Sequence, residues 1–406
     1  MMLQSDLVDQ DAIANAYEGG RYADVVALFD ESAWDPTSVQ GASQSSLFAQ
    51  ALAEVGRFED AANCYLKAFS FGLMMRSPWS VSAGLRKLKL LELDVTLWRQ
   101  WCDRNPEKIP GWIQLSKSLE LAGELADAAD VLREVTQRFP QRANLHAQLG
   151  MCSLRCGEMQ AAISAFQRAL AIDSMQPPWV RRGISALQDE RLELKGVRLS
   201  VPAAVVSPGV LRFLVEGGYE GREVTLLEGA LRADDRVLEL GAGLGFLACK
   251  AGQMFPGIEY YAVEANPALM PVIRENFQLN ACCAKAFHGA ACTESADAIS
   301  FHAADDFWAS SLKPVDDAHT QISVPTIDVR PLMGELKPTM MIIDIEGGEI
   351  DLFDGLELSS VDRVIIELHP LVYGHAGSSK VISALLGAGL HLDVVASCSQ
   401  VLLFRR

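Results

Sequence analysis

The spacing of apolar and small residues changes character near the middle of the chain. Up to about residue 190 the apolar positions keep a helical period, and the turns between helices repeat. Gly123-Glu124-Leu125-Ala126-Asp127-Ala128-Ala129 recurs 34 residues later as Gly157-Glu158-Met159-Gln160-Ala161-Ala162-Ile163. Gly56-Arg57-Phe58-Glu59-Asp60-Ala61-Ala62 stands 67 residues before Gly123, close to two such periods, and Gly20-Arg21-Tyr22-Ala23-Asp24-Val25-Val26 is a weaker fourth copy. Pro106 and Pro140 keep the same 34-residue beat. The pattern predicts an all-α array over residues 1–190. Small residues five positions after each turn glycine let paired helices approach, and each hairpin buries its apolar face on the next. Residues 71–105 break the pattern, although Trp98 and Trp101 are placed to pack between helices there.

Residues 191–206 lose the helical period. With Gly196 and Pro202 they read as a linker holding one or two short strands. From Ser207 onward strand and helix signals alternate, with strands ending near Leu240, Val263, Phe287, Asp344 and Leu368. Segments 391–396 and 400–404 are too close for a helical crossover, so they should pair as an antiparallel hairpin. Residues 207–406 are therefore expected to form a Rossmann-like α/β fold, a seven-stranded, mostly parallel sheet with a C-terminal antiparallel strand.

Two strand tips carry the chemistry. Val237-Leu238-Glu239-Leu240 runs into Gly241-Ala242-Gly243-Leu244-Gly245-Phe246, a buried strand that breaks into alternate glycines before a helix. Glycine there permits a sharp turn and close approach of backbone to ligand. Glu264 ends the next strand, 23 residues after Gly241, where a carboxylate can accept both hydroxyls of a ribose. A nicotinamide-type fingerprint would want glycine where Phe246 stands. Downstream, the apolar strand Met340-Met341-Ile342-Ile343 ends in Asp344-Ile345-Glu346-Gly347-Gly348-Glu349, three acids interleaved with glycines. Carboxylates are costly to bury unless matched, so three at one strand tip point to a ligand site.

The glutamate-and-glycine string resembles the S-adenosylmethionine site of Rossmann-like methyltransferases. The D-x-E-G-x-E string resembles the signature of FkbM-family methyltransferases, with Tyr219-Glu220 and Ile366-Glu367-Leu368-His369-Pro370 in agreement; the resemblance covers about 206–406. The 34-residue period resembles the tetratricopeptide repeat. The family resemblance implies S-adenosylmethionine as cofactor and transfer of its methyl group to oxygen, often on a sugar or natural-product hydroxyl. By the same resemblance Glu239, Gly241, Ala242, Gly243 and Gly245 line the methionine and sulfonium end, Glu264 holds the ribose, and Ala265 or Asn266 edges the adenine. Asp344, Glu346 and Glu349 are expected near the transferred methyl, with Tyr219, Glu220 and Glu349 on the substrate side. An acceptor hydroxyl needs a base, and His369 or Asp344 is the candidate: His369 is the one histidine at an expected strand tip. The acceptor pocket is expected between 291 and 324, where Asp305-Asp306-Phe307-Trp308 sets acids beside aromatics.

Composition narrows the alternatives. A net charge of −17 over 406 residues argues against non-specific nucleic-acid binding, and no N-P-P-Y-type string offers a grip on a planar amine. Nine cysteines include no C-x-x-C pair and the histidines are scattered, so no structural zinc site is expected and a reducing, cytoplasmic location fits; no metal ligand is assigned, with a divalent cation on the three clustered acids as the alternative. Residues 1–11 do not resemble a signal peptide, and no apolar run is long enough to span a membrane. The expected acceptor is a glycan, a sugar-bearing precursor or a related small molecule. The competing readings are a protein methyltransferase whose repeats recruit the substrate, and a non-catalytic repeat scaffold with a degenerate methyltransferase fold. The repeats are expected to hold a protein partner or to mediate self-association.

Overall fold

Turn chemistry sets the rhythm of the first half. The computed structural model describes residues 15–28, 48–70, 78–293, 298–303 and 320–406. They fall into two compact units, 1–176 and 177–406. The first contains helices α1 (Tyr22–Leu28), α2 (Phe58–Ser70), α3 (Trp79–Lys87), α4 (Leu91–Arg104), α5 (Ile109–Leu121), α6 (Leu125–Arg138), α7 (Ala143–Arg155) and α8 (Met159–Ile172). Gly20, Gly56, Gly123 and Gly157 each stand two residues before a helix, with φ between +69° and +85°. In each copy the next residue's N–H donates back five positions: Arg21 to Ala16, Arg57 to Leu52, Glu124 to Leu119 and Glu158 to Ser153, at 2.8–2.9 Å. That closure needs a left-handed residue at the helix end. Five positions after each glycine, Val25, Ala61, Ala128 and Ala162 are fully buried.

The stretch that looked degenerate is a fifth copy. Lys89 takes the glycine position with φ +59°, and Leu90 N–H donates to the Leu85 carbonyl at 2.9 Å. Asp94 takes the small-residue position and is fully buried. Its Oδ2 accepts Arg86 Nε and Ser118 Oγ, both at 2.7 Å, so a charged network replaces the alanine contact. Trp98 is fully buried and donates Nε1–H to Ser82 Oγ at 2.8 Å, which fits its expected packing role.

The second unit begins with α9 (Pro178–Asp189), ahead of the break expected near residue 190. The expected linker contains an antiparallel hairpin, β1 (Arg191–Leu194) with β2 (Val197–Ser200). Helices α10 (Pro208–Glu216) and α11 (Gly221–Ala230) lead to β3 (Arg236–Leu240), α12 (Phe246–Met254), β4 (Glu259–Glu264), α13 (Leu269–Leu279) and β5 (Lys285–His288). A three-stranded sheet of β6 (Ala290–Cys292), β7 (Ala298–Ala303) and β8 (Thr320–Asp328) follows; sequence pattern did not predict it. The chain then adds α14 (Val329–Leu336), β9 (Met340–Ile343), α15 (Glu349–Leu352), β10 (Arg363–Glu367), α16 (Pro370–Gly387), β11 (His391–Leu392) and β12 (Val401–Arg405). The main sheet has the order β11-β12-β10-β9-β3-β4-β5, parallel from β10 to β5 and antiparallel at β12. This is the expected seven-stranded arrangement, although β11 is only two residues long.

Register then positions the site. Leu240 pairs with Ile343 and Val263, and Ile343 with Ile366, so β3, β9 and β10 end level. The opposite end is pinned by Arg363, whose guanidinium donates to both Asp235 oxygens at 2.8 and 3.0 Å. Thr339 Oγ1 donates to Asp235 Oδ1 at 2.7 Å, tying the starts of β3, β9 and β10 together.

Glycine is strain-free at positive φ, and a left-handed lysine is not. Lys89→Gly should therefore raise unfolding free energy by roughly 1 kcal/mol, and Gly123→Ala should lower it by a similar amount. Urea unfolding followed by tryptophan fluorescence checks both.

Candidate active site at the strand tips

The glycine loop crosses from β3 into α12 with Gly241, Gly243 and Gly245 at φ +87°, +51° and +71°. Gly241 and Ala242 donate their N–H groups to the Val263 carbonyl at 2.9 and 3.2 Å, and Asp344 N–H donates to the Leu240 carbonyl at 2.8 Å. A Cβ on Gly241 would lie 1.6 Å from the Asp344 carbonyl oxygen, so only glycine lets these two tips meet. Gly245 has a packing role: a Cβ there would meet the Phe277 ring at 2.8 Å.

A cavity of about 570 Å³ opens over these tips, a volume suited to a small-molecule cofactor and acceptor. Gly241, Gly243, Glu264, Ala265, Tyr219, Glu220, Asp344 and Glu346 border it, among the residues expected from sequence. Glu239, Ala242, Gly245, Asn266, Glu349 and His369 do not border it. Glu264 is buried at the end of β4, and its two oxygens accept Gly243 N–H at 2.9 Å and Asn266 N–H at 2.7 Å. Burial raises its pKa, and those backbone donors restrain the rise. Glu239 is buried beneath the loop; burial pushes its carboxyl well above the usual range, restrained by the Tyr260 hydroxyl nearby. That hydroxyl does not close a well-formed hydrogen bond to it.

At the other tip the D-x-E-G-x-E loop folds around its last acid. Glu349 is fully buried; Oε1 accepts Ile345 N–H at 3.0 Å and Oε2 accepts Gly347 N–H at 2.9 Å. Glu349, expected on the substrate side, fastens the loop with these lone pairs and is not among the residues that border the cavity. Its Oε1 also lies 3.2 Å from His369 Nδ1. His369 Nε2 faces Asp344 Oδ1 at 3.4 Å and Glu346 Oε2 at 3.3 Å. Burial works against the imidazolium, but the Glu349 hydrogen bond and the charges of Asp344 and Glu346 outweigh it, taking the His369 pKa up to about 10. An imidazole already protonated at neutral pH cannot take the acceptor's proton, so His369 does not fit the base role expected for it. Glu346 fits better. Burial raises it to about 7 despite the nearby imidazolium, and it borders the cavity. Burial and the charge of Glu346 push Asp344 well above the usual carboxylate range.

Glu367, Arg222 and Glu223 also border the cavity. Glu367 ends an apolar strand as Asp344 follows one, a signal the sequence carried. Arg222 and Glu223 begin an ordinary amphipathic helix and carried none. Of the segment expected to build the acceptor pocket, Ala291 borders the cavity, while Asp305, Asp306, Phe307 and Trp308 lie outside the described residues. Asp344, Glu349 and His369 offer ligand atoms within 4.8 Å of one another, the one such group among the described residues.

Two outcomes follow. Gly241→Ala should destabilise the second unit by at least about 2 kcal/mol, because the tips must separate to admit a methyl group. Thermal unfolding measures that. The His369 pKa is raised in the folded state, so the stability from its protonated form is complete below about 6.5 and lost as pH rises through about 10. Unfolding free energies at pH 7 and 10 should show this fall, and His369→Gln should flatten it.

Residues 239–389 match the methyltransferase FkbM domain, and residues 119–181 match the tetratricopeptide repeat. No curated protein matches the chain. Among solved structures, MamA (41-end) from Desulfovibrio magneticus RS-1 is 14% identical over 43% of this chain and 99% of its own, with a TM-score of 0.31. Precorrin-6y C5,15-methyltransferase from Geobacter metallireducens GS-15 is 16% identical over 46% of this chain and 85% of its own, with a TM-score of 0.29. Likeness at that level assigns neither ligand nor partner. The chain carries a methyltransferase FkbM domain at residues 239–389, preceded by tetratricopeptide repeats at residues 119–181.

Proposed function

We propose that the second unit transfers the methyl group of S-adenosylmethionine to a hydroxyl oxygen of a glycan, a sugar-bearing precursor or a related small molecule. The observation that carries this reading is convergence: Gly241, Gly243 and Glu264 from one pair of tips border the same cavity as Asp344 and Glu346 from another. The cavity's chemistry suits a cationic cofactor. Glu220 Oε2 is closed off from water with no hydrogen-bond partner, Asp344 Oδ1 has only the His369 ring at 3.4 Å, and both residues border the cavity. Gly241 and Gly243 would receive the methionine end and Glu264 the ribose, with Ala265 beside the base. Glu239, Ala242, Gly245 and Asn266 support that surface from behind.

When bound, the cofactor supplies a methyl carbon on a sulfonium, whose bond to sulfur breaks, leaving its electron pair on sulfur, as the acceptor oxygen bonds to carbon. The chain's part is alignment and proton removal. Glu346 accepts the hydroxyl proton. His369, fixed by Glu349, keeps a positive charge beside Asp344 and Glu346 so that Glu346 can be ionised near neutrality. Tyr219 and Glu220 close the wall above Gly243 and Leu244, the Tyr219 hydroxyl accepting Leu244 N–H at 3.4 Å. The repeats favour a second reading, in which they hold a protein that is itself methylated.

Methyl-labelled S-adenosylmethionine supplied with a fractionated cell extract, with Glu264→Ala as control, tests both. Label in glycan or small-molecule fractions is the expected result, and label in protein selects the second reading. A base with a pKa of about 7 makes turnover rise with pH through that value. Glu346→Gln should lower kcat by about 10²–10⁴-fold and remove the rise, with cofactor affinity retained.

A further inference from the structure

Charge on the cavity wall is unevenly signed and unevenly placed. The tips of β3 and β4, with Gly241 and Glu264, lie on one side of β9, and β10 and β12 lie on the other. A cofactor seated on the first pair leaves the β9-β10-β12 side for the acceptor. Asp344, Glu346 and Glu367 border that side, and α11, which packs on β10 and β12, brings Glu223 and Arg222 over it. Four carboxyls therefore meet Arg222 on the wall and His369 near it, while Lys195, which donates to the Gly221 carbonyl at 3.4 Å, lies toward Glu223 from outside the wall. His369 is committed to Asp344, Glu346 and Glu349. Glu367 feels the positive charges of His369 and Arg222 and the negative charges of Glu223 and Glu349. Neither the Glu223 nor the Glu367 carboxylate has a hydrogen bond or ion pair among the described residues.

Resting on the methyl-transfer reading above, we propose that the acceptor carries an amine beside its hydroxyl, as an amino sugar does, with the ammonium held by Glu223 and Glu367 and the hydroxyl turned to Glu346. An ammonium gives these two acids the charge-assisted partner they lack and relieves their mutual repulsion. A neutral acceptor gains only ordinary hydrogen bonds. A phosphate or carboxylate on the acceptor would stand against four carboxyls in a confined space, which is unfavourable.

The test uses the full chain saturated with S-adenosylhomocysteine and calorimetric titration with two matched sets of probes. One set is glucosamine, glucose and glucuronate; the other is tyramine, 4-hydroxyphenylethanol and 4-hydroxyphenylacetate. The amine of each set should bind about tenfold more tightly than its neutral counterpart, and the carboxylate least. A Glu223→Gln/Glu367→Gln variant that still binds S-adenosylhomocysteine should lose the preference. Equal binding of amine and neutral probes, no binding of any probe, or a preference that survives the double substitution overturns the inference. Failure of the underlying reading looks different: S-adenosylhomocysteine itself does not bind, or, with methyl-labelled S-adenosylmethionine in its place, label appears on nitrogen while the charge preference stands.

Discussion

The site depends on one close approach, that of Gly241 to the Asp344 carbonyl. A methyl group at position 241 would occupy the carbonyl's own space, 1.6 Å away, so the glycine is what allows the tips of β3 and β9 to touch. Because β3, β9 and β10 end level, that contact brings a glycine loop, an acidic loop and Glu367 around a single opening. The far end of the same three strands is held by Asp235, Thr339 and Arg363, a buried pair with its remaining lone pairs and protons largely engaged. Breaking such a pair leaves a buried charge unmatched. Strand register, fixed at one end, is thus read out as ligand geometry at the other.

Crowded acids would be unfavourable without compensation, and the loop after β9 shows how it is arranged. Glu349 spends its lone pairs on two backbone N–H groups and the His369 ring, and the ring's other nitrogen faces Asp344 and Glu346. One acid is structural, one imidazolium is electrostatic, and the two remaining acids face the cavity. This division lets the acids sit together, with burial raising both Asp344 and Glu346 and the imidazolium restraining the rise. An acid that titrates near neutral pH beside a fixed cation is chemically useful in a way that an isolated surface carboxylate is not.

The repeat unit follows a different economy, in which a left-handed residue closes each helix and a buried small side chain follows five positions later. The copy at Lys89 and Asp94 keeps the backbone geometry while replacing both signature residues. Asp94 is matched by Arg86 and Ser118, so the hairpin is held by a polar network where its neighbours use alanine packing. Among the described residues, no helix is long and apolar enough to cross a membrane.

Periodicity alone determined the two-part organisation, the parallel sheet with its antiparallel end, and the two strand tips that bear the chemistry. These follow from local rules: turn glycines, apolar runs of strand length, and acids where such runs stop. The fifth repeat was illegible because a lysine can be forced into a left-handed turn by its surroundings, and nothing in a single sequence announces that. Tertiary structure alone separated Glu349, turned inward onto its own loop, from Glu346, three residues earlier and facing the cavity. It also set the proton affinity of His369, since an imidazole's charge depends on how many carboxylates lie within a few ångströms of it, and residues 344, 346, 349 and 369 meet only after β9 and β10 have paired. Arg222 and Glu223 joined the site for the same reason: a helix start has no chemistry of its own until packing places it over a strand tip.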